Sequence, residues 1–120
     1  MLKVETTWRF YLLGPTHPGR RTGHINEMRL QLETLVVLVP NLLDASVHPG
    51  NDDIVPVTVT ILADSPAEAL KTAESCIRSA IHAAGGSTAD WEPTQATASD
   101  EQGAADGTTL FRWVAETRGR

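Results

Sequence analysis

The fourteen residues Asn26-Glu27-Met28-Arg29-Leu30-Gln31-Leu32-Glu33-Thr34-Leu35-Val36-Val37-Leu38-Val39 decide the fold, because they read in two ways. Met28, Leu32, Leu35, Val36 and Val39 recur at helical spacing, whereas Met28 to Glu33 also alternates apolar and polar as a strand would. We read a helix over 26–39. Met, Arg, Leu, Gln and Glu are good helix formers, Asn26 is a usable N-cap, and Pro40 stops the segment where a helix would run out of turn.

Outward from that helix, the signals on either side are plainer. Thr6-Thr7-Trp8-Arg9-Phe10-Tyr11-Leu12-Leu13 is rich in β-branched and aromatic residues. Its alternation sets Trp8, Phe10 and Leu12 on one face, with Arg9 and Tyr11 on the other. Gly14-Pro15 ends it, and the segment 16–24, with Pro18, Gly19 and Gly23, reads as an exposed loop. After the helix, Leu42 to His48 forms a short second strand, Pro49 to Asp53 a turn, and Val55 to Ala63 a third strand. In that third strand Val55, Val57, Val59 and Ile61 share one side, and Thr58 and Thr60 the other.

The second helix declares both of its ends. Ser65-Pro66-Ala67-Glu68 is a capping box, in which the serine hydroxyl takes a free amide, proline sits in the first turn and glutamate reaches back. Leu70, Ala73, Ile77, Ala80, Ile81 and Ala84 make an apolar stripe, and Gly85-Gly86 closes the helix. Beyond it, Thr94 to Ser99 alternates weakly and supplies a fourth strand. Residues 100–107 have the composition of a flexible linker, and Thr108 to Val114 is strand-like again. The division is therefore a domain over 1–99, a linker over 100–107 and a tail over 108–120. The order βαββαβ is that of an α+β, ferredoxin-like domain, with two helices on one face of an antiparallel sheet and an added C-terminal strand-like segment.

Composition narrows the function classes. A chain of 120 residues can bury a core without staples, and Cys76 is its only cysteine, so no internal disulfide forms and a reducing cytoplasm fits. No apolar run approaches the length that crosses a bilayer, and an acid stands at Glu5 where a signal peptide would begin its apolar stretch. The net charge of −5 argues against a phosphate backbone as partner. The charges are uneven: residues 1–34 carry five basic and three acidic groups, 41–107 two and eleven, and 108–120 three and one. That asymmetry suits contact between chains as well as a solvated acidic surface.

Four segments together carry a resemblance: Trp8-Arg9-Phe10-Tyr11, Val39 to Ser46, Val57-Thr58-Val59-Thr60, and Asp64 to Leu70 continuing to Gly86. Over residues 6–98 the chain resembles small actinobacterial and actinophage proteins with a βαββαβ pattern. The resemblance implies shape, and it supplies no catalytic residue.

Candidate sites are few. Gly14-Pro15-Thr16-His17-Pro18-Gly19-Arg20-Arg21 has the glycine spacing of a phosphate-binding loop, but Arg20 and Arg21 replace its lysine and its magnesium-binding hydroxyl. Pro15 and Pro18 also remove amides that would cradle phosphate. A looser anion site from Arg20, Arg21 and His24 is the form in which that segment could bind. His17, His24, His48, His82 and Cys76 match no metal-ligand spacing, so neither metal nor cofactor is expected. The open sheet face, with Arg9, Tyr11, Thr58 and Thr60, and the tail, with Phe111 and Trp113, are the expected partner-binding surfaces. The expected function is a non-catalytic binding or adaptor domain of phage or mobile-element type, homodimeric, contacting a further protein. The alternative is a small-molecule enzyme or sensor with its pocket at the dimer interface, where His17 or His24 would serve as base. No nucleic acid or membrane is expected as partner.

Overall fold

A computed structural model describes residues 1–13, 18–48, 54–86, 88, 97–99, 104–106 and 111–114. The elements run β1 (Leu2–Leu13), α1 (Pro18–Leu38), β2 (Leu42–Val47), β3 (Ile54–Ala63), α2 (Pro66–Ala83), β4 (Thr97–Ser99), β5 (Ala104–Asp106) and β6 (Phe111–Val114). The class is α+β, with β1, β2 and β3 forming an antiparallel sheet in the order β2-β3-β1 and two helices packed on it. Both β1 and β2 run antiparallel to β3, so they are parallel to each other with β3 between them. A β-strand, helix and parallel strand separated by one place is a split βαβ unit.

Alternation separates the two faces of this sheet. Along β1, Val4, Thr6, Trp8, Phe10 and Leu12 are buried, and in β3 Val55, Val57, Val59, Ile61 and Ala63 are buried while the residues between them are not. α2 lays Ala69, Leu70, Ala73, Cys76, Ile77, Ala80 and Ile81 onto that inner face, and α1 adds Ile25, Met28 and Leu32. Each large aliphatic side chain removed from water in this way contributes about 1.5–3 kcal/mol. Trp8 and Phe10 stack with their ring centroids 6.4 Å apart.

A polar side chain sits inside this core, and it is satisfied. Thr6 is fully buried; its Oγ1 accepts from the Trp8 indole Nε1 at 2.9 Å and donates to the Val59 carbonyl at 2.7 Å. The threonine opposite Val59 therefore ties strand to strand and occupies the indole donor in a single chain of hydrogen bonds.

Pro56 lies in the central strand, where proline usually breaks a ladder. The His48 amide donates to its carbonyl, so the ring nitrogen also points toward β2, just past the last residue of that strand. The pairing of β3 with β1 loses nothing, because Arg9 and Pro56 oppose each other without exchanging hydrogen bonds.

Both termini of α2 follow the expected chemistry. The Glu68 amide donates to Ser65 Oγ at 3.1 Å and Glu68 Oε1 accepts from the Asp64 amide at 2.9 Å. At the other end Gly85 has φ +92°, and Gly86 and Gly85 donate back to the carbonyls of Ile81 and His82, closing a Schellman turn.

α1 departs from expectation at its start. The residues from Pro18 to His24, read as a loop, are helical, and Asn26 is an interior residue whose Oδ1 accepts from Arg29 rather than an N-cap. Proline is well suited to a first helical turn, where its missing N–H has no partner to lose. Gly14 to His17, the turn over 49–53 and Trp91 to Thr94 lie outside the described residues.

Past α2, the strand expected within 94–99 is Thr97–Ser99, and it pairs antiparallel with β5. β5 lies inside the stretch read as a linker and runs parallel to β1 at Glu5–Thr7; β6 runs parallel to β1 at Phe10–Leu13. No helix among the described residues is long and apolar enough to cross a membrane.

The helical start of α1 has a direct test. Gly23 is exposed, and a Cβ added there meets nothing within 4 Å. Gly23→Ala should raise the unfolding free energy by about 0.5–1 kcal/mol in urea denaturation. A neutral or destabilising result would place Gly23 outside a helix.

Candidate functional site

The outer face of the three-stranded sheet is built by register. Counting across the strands, Glu5 stands opposite Thr60 and Thr60 opposite Asp44. The next row is Thr7, Thr58 and Ser46, and the one after it holds Arg9 and Pro56, with His48 hydrogen-bonded through its amide to Pro56. Lys3 with Leu62 lies beyond the first of these rows, and Tyr11 with Ile54 beyond the last. The bulge between Leu42 and Asp44 is what brings Asp44 and Ser46 onto this face.

The result is a threonine and serine centre with an acidic row on one side and a basic row on the other. Glu5, Arg9, Asp44 and His48 are exposed, and Thr58 and Thr60 are half-buried. Glu5 and Arg9 are four residues apart on one strand, about 13 Å by strand rise. Neither forms an ion pair within the chain among the described residues, where the only such pair described is Glu74 with Arg78 on α2.

Three of the expected contact residues, Arg9, Thr58 and Thr60, thus converge on one surface. Tyr11 occupies the adjoining register position, opposite Ile54. Phe111 and Trp113 pair instead with Phe10 and Leu12, core-facing positions of β1, so the tail adds a strand to its own sheet. Arg20 and Arg21 stand in the first turn of α1, with His24 one turn on and half-buried. The side chains of Tyr11, Arg20, Arg21, Phe111 and Trp113, and all of His17, lie outside the described residues.

Among the described residues, the side-chain contact on the open face is that between Ser46 Oγ and His48 Nε2 at 3.4 Å. An activated serine needs a base that a third group orients. Asp44 lies on the far side of Ser46 from His48 along the strand, so it is not placed to hold the imidazole. Elsewhere His82 Nε2 meets the buried Thr88 Oγ1 at 3.0 Å, a contact that fastens the chain after α2 to the helix. Among the described residues no group of three or more His, Cys, Asp and Glu could hold a metal ion.

A second surface was not anticipated from the sequence. On α1, Leu30, Val37 and Leu38 are 50 %, 82 % and 68 % exposed, and they lie on the side away from Ile25, Met28 and Leu32. Positions 37 and 38 come seven and eight residues after 30, two turns on along the helix surface, with the exposed Glu33 and Thr34 on the turn between.

In comparisons with known proteins, no family model, curated protein or solved structure matches this chain.

Cys76 is buried on α2, and that burial pushes its thiol pKa up from the ordinary range. The thiolate is the reactive form, so native Cys76 should label slowly with an aromatic disulfide reagent at pH 8 and rapidly in denaturing urea. Rapid labelling of the native chain would contradict its placement against the sheet.

Proposed function

We propose that the chain is a non-catalytic protein-binding domain of ferredoxin-like type, acting as a paired adaptor that contacts a further protein. The ferredoxin-like reading is supported by the order β1-α1-β2-β3-α2 and by the split βαβ arrangement within β2-β3-β1. It rests on those five elements, since the strands beside β1 on its other edge, β5 and β6, run parallel to it.

The observation that carries the binding reading is the set of outward apolar residues on α1. Val37 and Leu38, at 82 % and 68 % exposure, leave most of their apolar surface in water, and covering it would contribute at most about 1.5–3 kcal/mol for each. Beside them Leu35, Val36 and Val39 are half-buried against the core, so the apolar surface runs from the interior to the outside of the helix without a polar break at positions 35–39. The setting we assign is the cytoplasm, in a phage or mobile element, with no nucleic acid, membrane or cofactor as partner. An anion held by Arg20, Arg21 and His24 at the start of α1 would be accessory to this role.

The test is affinity purification from the native host with two baits, wild type and the triple variant Leu30→Gln/Val37→Gln/Leu38→Gln. The substituted positions are exposed, so the melting temperature of the variant should stay close to that of the wild type. The expected result is a protein partner retained by the wild type and lost by the variant. Equal retention by both baits would remove α1 from the interaction.

A further inference from the structure

We propose that the open sheet face binds a second copy of this chain, face to face, across a two-fold axis that runs perpendicular to the strands along the Thr7–Thr58–Ser46 row. The inference rests on the paired-adaptor reading above and specifies how the pair is formed.

The argument comes from the order of the rows. A dimer between identical faces is isologous, and its axis must lie in the plane between the two sheets. Two directions respect the strands. An axis parallel to them, through β3, sets β1 over the partner's β2 at the same height. Glu5 would then face Asp44 and Arg9 would face His48, which opposes acid to acid and base to base. An axis across the strands, along the central row, keeps each strand over its own counterpart and inverts the rows. Glu5 then faces Arg9 and Asp44 faces His48, twice each by symmetry. Within these three strands only this second direction is complementary in charge; Asp106 of β5, the register partner of Thr7, stands on the axis row in it.

The central strand is compatible with it. Read from Ile54 to Leu62, the outward residues of β3 are Ile54, Pro56, Thr58, Thr60 and Leu62. Inverted about Thr58, Leu62 lies over Ile54 and Thr60 over Pro56, while Thr58 meets its own counterpart. Apolar ends meet apolar ends, and the middle presents Pro56, Thr58 and Thr60, none of them charged. Facing sheets stand about 10 Å apart, a gap that short β-branched side chains fill from both sides without steric conflict. The helices lie on the other side of the sheet, so pairing in this way leaves these apolar residues of α1 outward on both copies.

The charges also explain themselves under this arrangement. Exposed charges in the middle of a sheet face, without an ion-pair partner in their own chain, commonly keep that face wet. Here their spacing is what a partner in the inverted orientation requires, and complementary charge across an interface selects orientation more than it adds affinity.

The test is the dissociation constant of the full chain by sedimentation velocity, for wild type, Glu5→Arg, Arg9→Glu and the double variant Glu5→Arg/Arg9→Glu. Either single reversal places like charges against each other twice in the dimer and should raise Kd by about tenfold or more. The double variant restores opposite charges and should return Kd to near the wild-type value. Both positions are exposed, so circular dichroism, and the melting temperature at concentrations where the chain is monomeric, should be unchanged in every variant. A wild-type chain that stays monomeric at millimolar concentration overturns the proposal. So does a dimer whose Kd is insensitive to all three variants, and so does a double variant as weak as the singles. A monomeric chain that still loses its partner on substitution of α1 would overturn the dimer alone and leave the binding reading standing.

Discussion

The hydrogen-bond chain from Trp8 Nε1 to Thr6 Oγ1 to the Val59 carbonyl is the constraint on which the rest of the structure depends. A strand has a period of two, so a slip of one residue between β1 and β3 would turn every buried side chain outward. Hydrophobic pattern alone disfavours such a slip. The buried threonine disfavours it further, because a slip of one residue would take its hydroxyl away from the Val59 carbonyl, at a cost of about 1–3 kcal/mol for a buried group left unsatisfied; the indole bond to Thr6 lies within β1 and moves with it. Through that pairing the inner face of the sheet becomes continuous, and α2 finds a flat apolar surface on which to lie.

The two helices depend on this surface to different degrees. α2 is specified locally, by its capping box, its glycine stop and a stripe of small and aliphatic residues on one side. α1 carries apolar residues on both sides, with Ile25, Met28 and Leu32 buried and Leu30, Val37 and Leu38 outside. A helix of that kind does not choose its inner face by hydrophobicity alone. Contact with β2 and α2 makes the choice, so the position of α1 is a consequence of the sheet. The same circumstance leaves apolar residues facing outward, where they are open to a partner.

Much of the fold was legible in the sequence because the strongest signals are local. Alternation in β1 and β3 and the two caps of α2 need no information from distant residues. The helix over 26–39 was legible through residue propensity and Pro40, but its first two turns were not. Pro18, Gly19 and Gly23 have the composition of a loop, although proline also suits a first helical turn. The contact surface was half legible: Arg9, Thr58 and Thr60 follow from alternation. Glu5 requires β1 to extend to Leu2, and Asp44, Ser46 and His48 require the bulge after Leu42, which shifts the facing of β2 by one residue. The outward residues of α1 were obscured because positions 35–39 are apolar without interruption, so the sequence alone does not say which of them face out.

The β1–β3 register can be read directly from the solution spectrum. Even-numbered residues of β3 direct their amides and carbonyls toward β2, as the bonds from Leu62 to Asn41 and from His48 to Pro56 require, so Thr7 and Thr58 oppose each other without exchanging hydrogen bonds. Such a pair brings its two α-protons into close contact. A two-dimensional nuclear Overhauser spectrum should show a strong Hα–Hα cross-peak between Thr7 and Thr58, with another between Glu5 and Thr60. Cross-peaks from Thr7 to Val57 or Val59 in their place would mean a slipped sheet, and would contradict both the core and the outer face described above.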